Sequence, residues 1–123
     1  METNNPIVEP KSPASVKEVL QLAKEKISKE ANWTQRAFAR NERDVETFYN
    51  DARACRWCAL GAVFAVAGTN SAVSYDTLLA LQSASNKLTN CSVSLFNDDF
   101  ETSHGDVLAL LDITIEEETK KGL

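Results

Sequence analysis

The segment Cys55-Arg56-Trp57-Cys58-Ala59-Leu60-Gly61-Ala62-Val63-Phe64-Ala65-Val66-Ala67-Gly68 decides the fold. From Ala59 to Ala67 it carries no polar side chain on any face, so a helix here must be surrounded by other elements rather than lie on the surface. The mostly apolar run from Trp57 to Gly68 is well short of the roughly 20 residues of a membrane span, and it predicts a buried core helix. Asp51 offers an N-cap, so the expected helix runs from Ala52 to about Ala67 and Gly68 ends it. Gly61 costs helix stability but allows a neighbouring backbone to come close, which predicts a packing role.

The partners of this helix are legible on either side. Upstream, Ser15 opens a helix with a Ser15-x-x-Glu18 capping-box spacing, and Val16, Val19, Leu20, Ala23 and Ile27 follow on one face to about Lys29. The stretch from Ala31 to Asn50 sustains no stripe and reads as irregular, with room for a short strand. Downstream, a turn over Asn70–Ser74 precedes a helix from about Asp76 to Leu88. Cys91 to Phe96 reads as extended or as a short helical turn, and Asn97-Asp98-Asp99 reads as a break. Thr102 or Ser103 caps the last helix, whose stripe is Val107, Leu108, Leu111, Thr114 and Ile115. The expected fold is mostly all-α: about four helices around a central apolar helix, with room for one short strand pair. Residues 1–14, which hold all three prolines, read as a flexible leader, 15–118 as a single helical domain, and 119–123 as a fraying end.

Composition narrows the function classes. With 123 residues the chain has the length of one domain. Eighteen acids against thirteen bases give a net charge of −5, which argues against a surface built to bind nucleic acid. Arg36, Arg40, Arg43, Arg53 and Arg56 crowd one stretch, but Glu42, Asp44, Glu46 and Asp51 interleave with them. The N-terminus has no signal-peptide pattern, so a cytoplasmic protein without a membrane segment is expected. Three cysteines, an odd number, favour free thiols.

Three features invite a chemical reading. Cys55-Arg56-Trp57-Cys58 has the spacing of a redox motif or half a zinc site, yet the expected strand and the further ligands are missing, so packing of two thiols on one side of a helix is preferred. No cofactor and no metal are expected. His104, at the start of the last helix, lies near Asp98 and Asp99 in sequence; with Cys58 as nucleophile and Asp98 as orienting acid it would make a hydrolase-like set. The preferred account leaves those polar residues as caps, with His104 exposed in the first helical turn. Trp33 and Trp57 beside Arg36 and Arg56 suit either a core edge or a binding surface. Phosphate loops and the common metalloprotease, esterase, kinase and dinucleotide fingerprints are absent from the sequence.

Arg56-Trp57-Cys58-Ala59-Leu60-Gly61-Ala62, then Phe96-Asn97-Asp98, then Thr102, Asp106, Val107, Leu108, Leu111 and Asp112 resemble a small uncharacterised domain family of bacterial and phage genomes. Its members share a first helix with a leucine stripe, a Trp-containing segment matched by Trp33, an R-W-C-x-x-G-A run, W-N-D and a closing V-L-x-x-L-D. The resemblance spans about Val16 to Ile115. Phe96 stands where the pattern has tryptophan and Cys55 matches nothing in it, which makes the C-x-x-C incidental. The family supplies no activity. The resemblance implies that the central helix and the Asn-Asp loop form one unit, with Asn97 and Asp98 bonding to neighbouring backbone.

The leading functional expectation is a noncatalytic binding or regulatory protein that meets a protein partner through Trp33, Arg36, Arg56, Trp57, Asn97 and Asp98. An enzyme using Cys58 and His104 is the alternative.

Overall fold

The computed structural model describes Pro13 and residues 15–122; apart from Pro13, the expected leader lies outside the described residues. The chain is mostly helical, with a small antiparallel sheet inserted after the first helix. The order is α1 (Val16–Lys26), a 3-10 turn (Glu30–Asn32), β1 (Ala39–Arg40), β2 (Glu46–Thr47), β3 (Arg56–Trp57), α2 (Ala59–Ala67), α3 (Ala72–Thr89), α4 (Val93–Asp98) and α5 (His104–Lys121). Among the described residues no helix is long and apolar enough to cross a membrane.

Local chemistry explains most helix starts. The hydroxyls of Ser15, Ser71, Ser92 and Ser103 accept backbone N–H bonds from Glu18, Ser74, Leu95 and Asp106 respectively. At Ser103 the box is reciprocal, since the Asp106 carboxylate accepts from the Ser103 N–H. The stripe on α1 buries Val19, Leu20, Ala23 and Ile27 completely, and these meet Ala59, Ala62, Val63, Leu81, Ala84, Val93, Val107, Leu110 and Leu111 in one core. Removing the valine, leucine and isoleucine side chains among them from water contributes roughly 1.5–3 kcal/mol each. α2 packs on α1, α3, α4 and β3, while α5 packs on α1 and α3. α2 is thus enclosed as expected along its first half, and Phe64 to Ala67 are only half-buried.

Three expectations are corrected. The second helix begins at Ala59 with Cys58 as its cap, not at Ala52 with Asp51. The Asp51 carboxylate instead accepts the Arg53 N–H at 2.7 Å, closing a local turn, and Arg56–Trp57 is extended because it pairs with β1. The Asn97-Asp98 pair does not break the chain but forms the last turn of α4. α3 begins earlier than expected, at Ala72. The charged end of α5 carries ion pairs from Lys87 to Glu117 and from Lys121 to Glu118.

The sheet has the order β2-β1-β3, with Ala39 opposite Thr47 and Trp57, and Arg40 opposite Glu46 and Arg56. Gly61 locks this sheet to α2. A Cβ at residue 61 would stand 1.9 Å from the Phe38 carbonyl oxygen, and that same oxygen accepts the Cys58 N–H at 3.2 Å. Only a residue without a side chain allows the approach, so the expected packing role has a specific partner.

Candidate functional site

Asn97 is the junction where the helices and the sheet segment meet. Its side chain is 1% exposed. Its Oδ1 accepts two bonds, from Trp33 Nε1–H at 2.9 Å and from the Ala59 N–H at 3.1 Å. Its Nδ2 donates to the Thr34 carbonyl at 3.1 Å and to Asp98 Oδ1 at 3.0 Å. The amide is therefore saturated, as a buried polar group must be. One of these partners, Ala59 N–H, is an orphan donor of the first turn of α2, so a side chain from α4 caps a helix far away in sequence.

Neighbouring groups extend the junction. Asp98 Oδ1 also accepts the Arg36 N–H at 2.8 Å, and Gln35 Nε2 donates to the Asn97 and Asp99 carbonyls. Arg36 has φ 65°, a left-handed conformation that a residue with a side chain adopts at a cost of about 1–2 kcal/mol. The Asp98 carboxylate stabilises it there. Behind it, Arg40 reaches the Thr34 hydroxyl and the Gln35 and Asp44 carbonyls.

The tryptophans are internal braces. The Trp33 indole bonds Asn97, and its ring lies 5.7 Å from that of His104. Trp57 Nε1–H donates to the Tyr49 carbonyl, while Lys26 Nζ sits 4.1 Å above the ring centre. Both indoles are half-buried. Of the predicted contact residues Arg36 is exposed, and Arg56 is half-exposed and paired with Asp44 at 2.8 Å.

The catalytic alternative finds its members apart in their bonding. Cys58 is 8% exposed, and its sulfur accepts the Gly61 N–H at 3.2 Å as the cap of α2. His104 is half-buried rather than exposed, and its Nε2 lies 2.6 Å from the Ile27 carbonyl oxygen, which requires a proton on that nitrogen. A cavity of about 190 Å³ is lined by Cys58, Asp98, Arg36, Phe38 and Leu60 among others, but not by His104. Cys55 and Cys58 flank β3, where extended chain turns residues three apart to opposite faces, so they do not share a helix face. All three cysteines are free, and among the described residues no group of three metal-ligating side chains lies together.

Burial pushes the Cys58 thiol up to about 11, against N–H bonds from Gly61 and Leu60 that pull the other way. The thiol is therefore protonated at neutral pH, and its alkylation by iodoacetamide at pH 7 is expected to be at least tenfold slower than in the urea-unfolded chain. The raised value also links to stability. Below the unfolded thiol's value of about 8.5 both states hold the proton; as pH rises towards 11 the unfolded chain loses it first and folding weakens, by on the order of 2–3 kcal/mol. Cys58→Ser keeps a cap and removes this term. Parallel denaturant titrations from pH 8 to 11 should show the shallower decline in the serine variant, and identical declines would contradict the account.

Beside the Cys58 cavity lies a second hollow of about 450 Å³, lined by Phe38, Glu46, Thr47, Phe48, Tyr49 and Asp51. The two share Phe38 and Glu46. Phe64 of α2 holds the Phe38 and Tyr49 rings at centroid distances of 5.6 and 5.7 Å. Phe48 stands 79% exposed and Phe38 48% exposed. Phe48 and Tyr49 were not singled out by sequence reasoning, and Glu46 entered only as an acid among the arginines; the hint is an aromatic pair inside a mostly polar stretch.

A family model described as "Family of unknown function (DUF6197)" matches residues 11–117. No curated protein and no solved structure matches the chain.

Proposed function

Because the chain belongs to this family of unknown function, we propose on physical grounds that residues 15–118 form one noncatalytic binding unit for a protein partner. The observation that carries the reading is the exposed aromatic face of Phe38 and Phe48 beside Arg36. Large exposed apolar groups grouped on one face mark interaction sites more often than isolated ones do. Aromatic and arginine side chains are also the groups that supply most binding energy at interfaces. Within the residues expected from sequence, Arg36, Asn97 and Asp98 line the cavity beside this face, while the indoles of Trp33 and Trp57 bond inside the protein and brace the backbone. Arg56 lines neither hollow and is paired with Asp44. The hydrolase-like alternative has less support, since Cys58 is protonated and His104 is bonded elsewhere.

The test is site-specific photocrosslinking in the native host. A photoreactive phenylalanine analogue at Phe48 should yield one defined adduct, and the same analogue at Tyr75, exposed on α3, should not. The captured protein, once purified, should bind wild type and lose at least tenfold in affinity with Phe48→Ala. Equal crosslinking from both positions, or unchanged affinity, would remove the assignment.

A further inference from the structure

We infer that the hollow formed by Phe38, Phe48, Tyr49, Glu46 and Asp51 takes the basic side chain, lysine or arginine, of an extended partner segment laid along β2; this rests on the protein-binding reading above. Two independent observations carry it, one from the hollow's lining and one from the sheet's edge.

The lining combines three aromatic rings with two carboxylates. Aromatic faces attract cations through the ring quadrupole, and an ammonium or guanidinium group on a long apolar stem satisfies rings and carboxylates together. The rings of Phe38 and Tyr49 are already set by Phe64, so little ordering is required on binding. The Asp51 carboxyl is held below its usual range by the bonds from Arg53, which keeps it anionic. Glu46 has no ion-pair partner among the described residues. Arg53 Nε lies 3.4 Å from Asp51, but among the described residues no cation lines the hollow, so an anionic side chain would meet the two carboxylates there.

The edge favours a peptide as the source of that cation. β2 is an outer strand. The Asn41 N–H donates to the Val45 carbonyl, so residues 41 and 45 form a bonded pair, and in an antiparallel ladder the bonded and non-bonded pairs alternate. Arg40 and Glu46 are therefore a non-bonded pair. Consistent with this, the Arg40 carbonyl accepts from Cys55 on the opposite side. The N–H and C=O of Glu46 point to the open edge, beside the hollow that its side chain lines. An added strand can bond there while one side chain enters among the rings.

The experiment is a titration of the isotope-labelled full chain, followed by amide shifts, with Ac-Thr-Val-Lys-Val-Thr-NH2, its Glu-centred counterpart and tetramethylammonium chloride. The Lys peptide should give saturating shifts centred on Phe38 and residues 46–49, at least tenfold tighter than the Glu peptide. Phe48→Ala and Glu46→Lys, both at exposed positions, should each weaken it at least fivefold while leaving the remaining spectrum folded. If both peptides bind the edge equally, the cation assignment fails and the protein-binding reading stands. If tetramethylammonium matches the Lys peptide, the site serves a free organic cation and the peptide assignment fails. Shifts by the Lys peptide elsewhere, or none, overturn the inference; only failure of the Phe48 crosslink as well removes the reading beneath it.

Discussion

Asn97→Ala is expected to lower the stability of the fold by about 3–5 kcal/mol, the largest loss from any single polar side chain. The reason is what the truncation leaves behind. Trp33 Nε1–H and the Ala59 N–H lose their common acceptor, and the Thr34 carbonyl loses a donor. Each buried group left without a partner costs about 1–3 kcal/mol, and partial water access at the half-buried Trp33 and Thr34 keeps the sum below the maximum. Asn97→Asp tests the geometry further. It keeps an acceptor for Trp33 and Ala59, but places an oxygen where Nδ2 stood, facing the Thr34 carbonyl and, at 3.0 Å, the Asp98 carboxylate. Both variants should therefore unfold at lower urea with unchanged slope, and the indole proton of Trp33 should exchange faster in the alanine variant. A loss below about 1 kcal/mol for Asn97→Ala would show that the network is not what joins α4 to α2.

Gly61→Ala should cost about 2–4 kcal/mol, although alanine is the better helix former by about 1 kcal/mol. The added methyl would meet the Phe38 carbonyl carbon and oxygen at 2.8 and 1.9 Å. These atoms are backbone, so no rotamer change relieves the clash, and the overpacking penalty exceeds the propensity gain. The hairpin must move off α2, stretching the Cys58 N–H bond to the Phe38 carbonyl. Gly105→Ala supplies the contrast. There the nearest atom to a new Cβ is the Ser103 hydroxyl at 3.7 Å, an ordinary contact, so the change should be neutral or slightly stabilising. Thermal melts of the two variants measure the difference, and equal effects would mean that Phe38 adapts at no cost.

Comparison of particular residues shows why some elements were legible and others were not. Ser15 and Ser103 announce their helices because a cap and a stripe are properties of four to eight successive residues. Asp51 misleads because an aspartate can cap a helix or close a turn with its own neighbours, and here it bonds Arg53. Cys58, the actual cap, belongs to a residue type that rarely serves as one. Asn97 and Asp98 have poor helix propensity, so the sequence predicts a break. Bonds to Trp33, Thr34, Arg36 and Ala59 outweigh that preference. The resemblance had implied that these two side chains bond to neighbouring backbone, and Ala59 and Arg36 are among those partners.

The candidate surface was less legible than the core. Trp33 and Trp57 drew attention as large aromatics beside arginines, yet their N–H groups are taken up inside the protein, and Phe38 and Phe48 provide the exposed rings. Nothing along the chain distinguishes a ring that faces inward from one that faces water when no stripe sets a face.

The sequence by itself determined the mostly helical class and the apolar α2 that other elements must enclose, because these follow from local periodicity and side-chain volume. Only the tertiary structure decided that Arg56-Trp57 is a strand, that Asn97 is a junction, and that Phe48 stands in solvent. Each of those depends on partners brought together from distant parts of the chain, and the free energy of such pairings is written in no short stretch of residues.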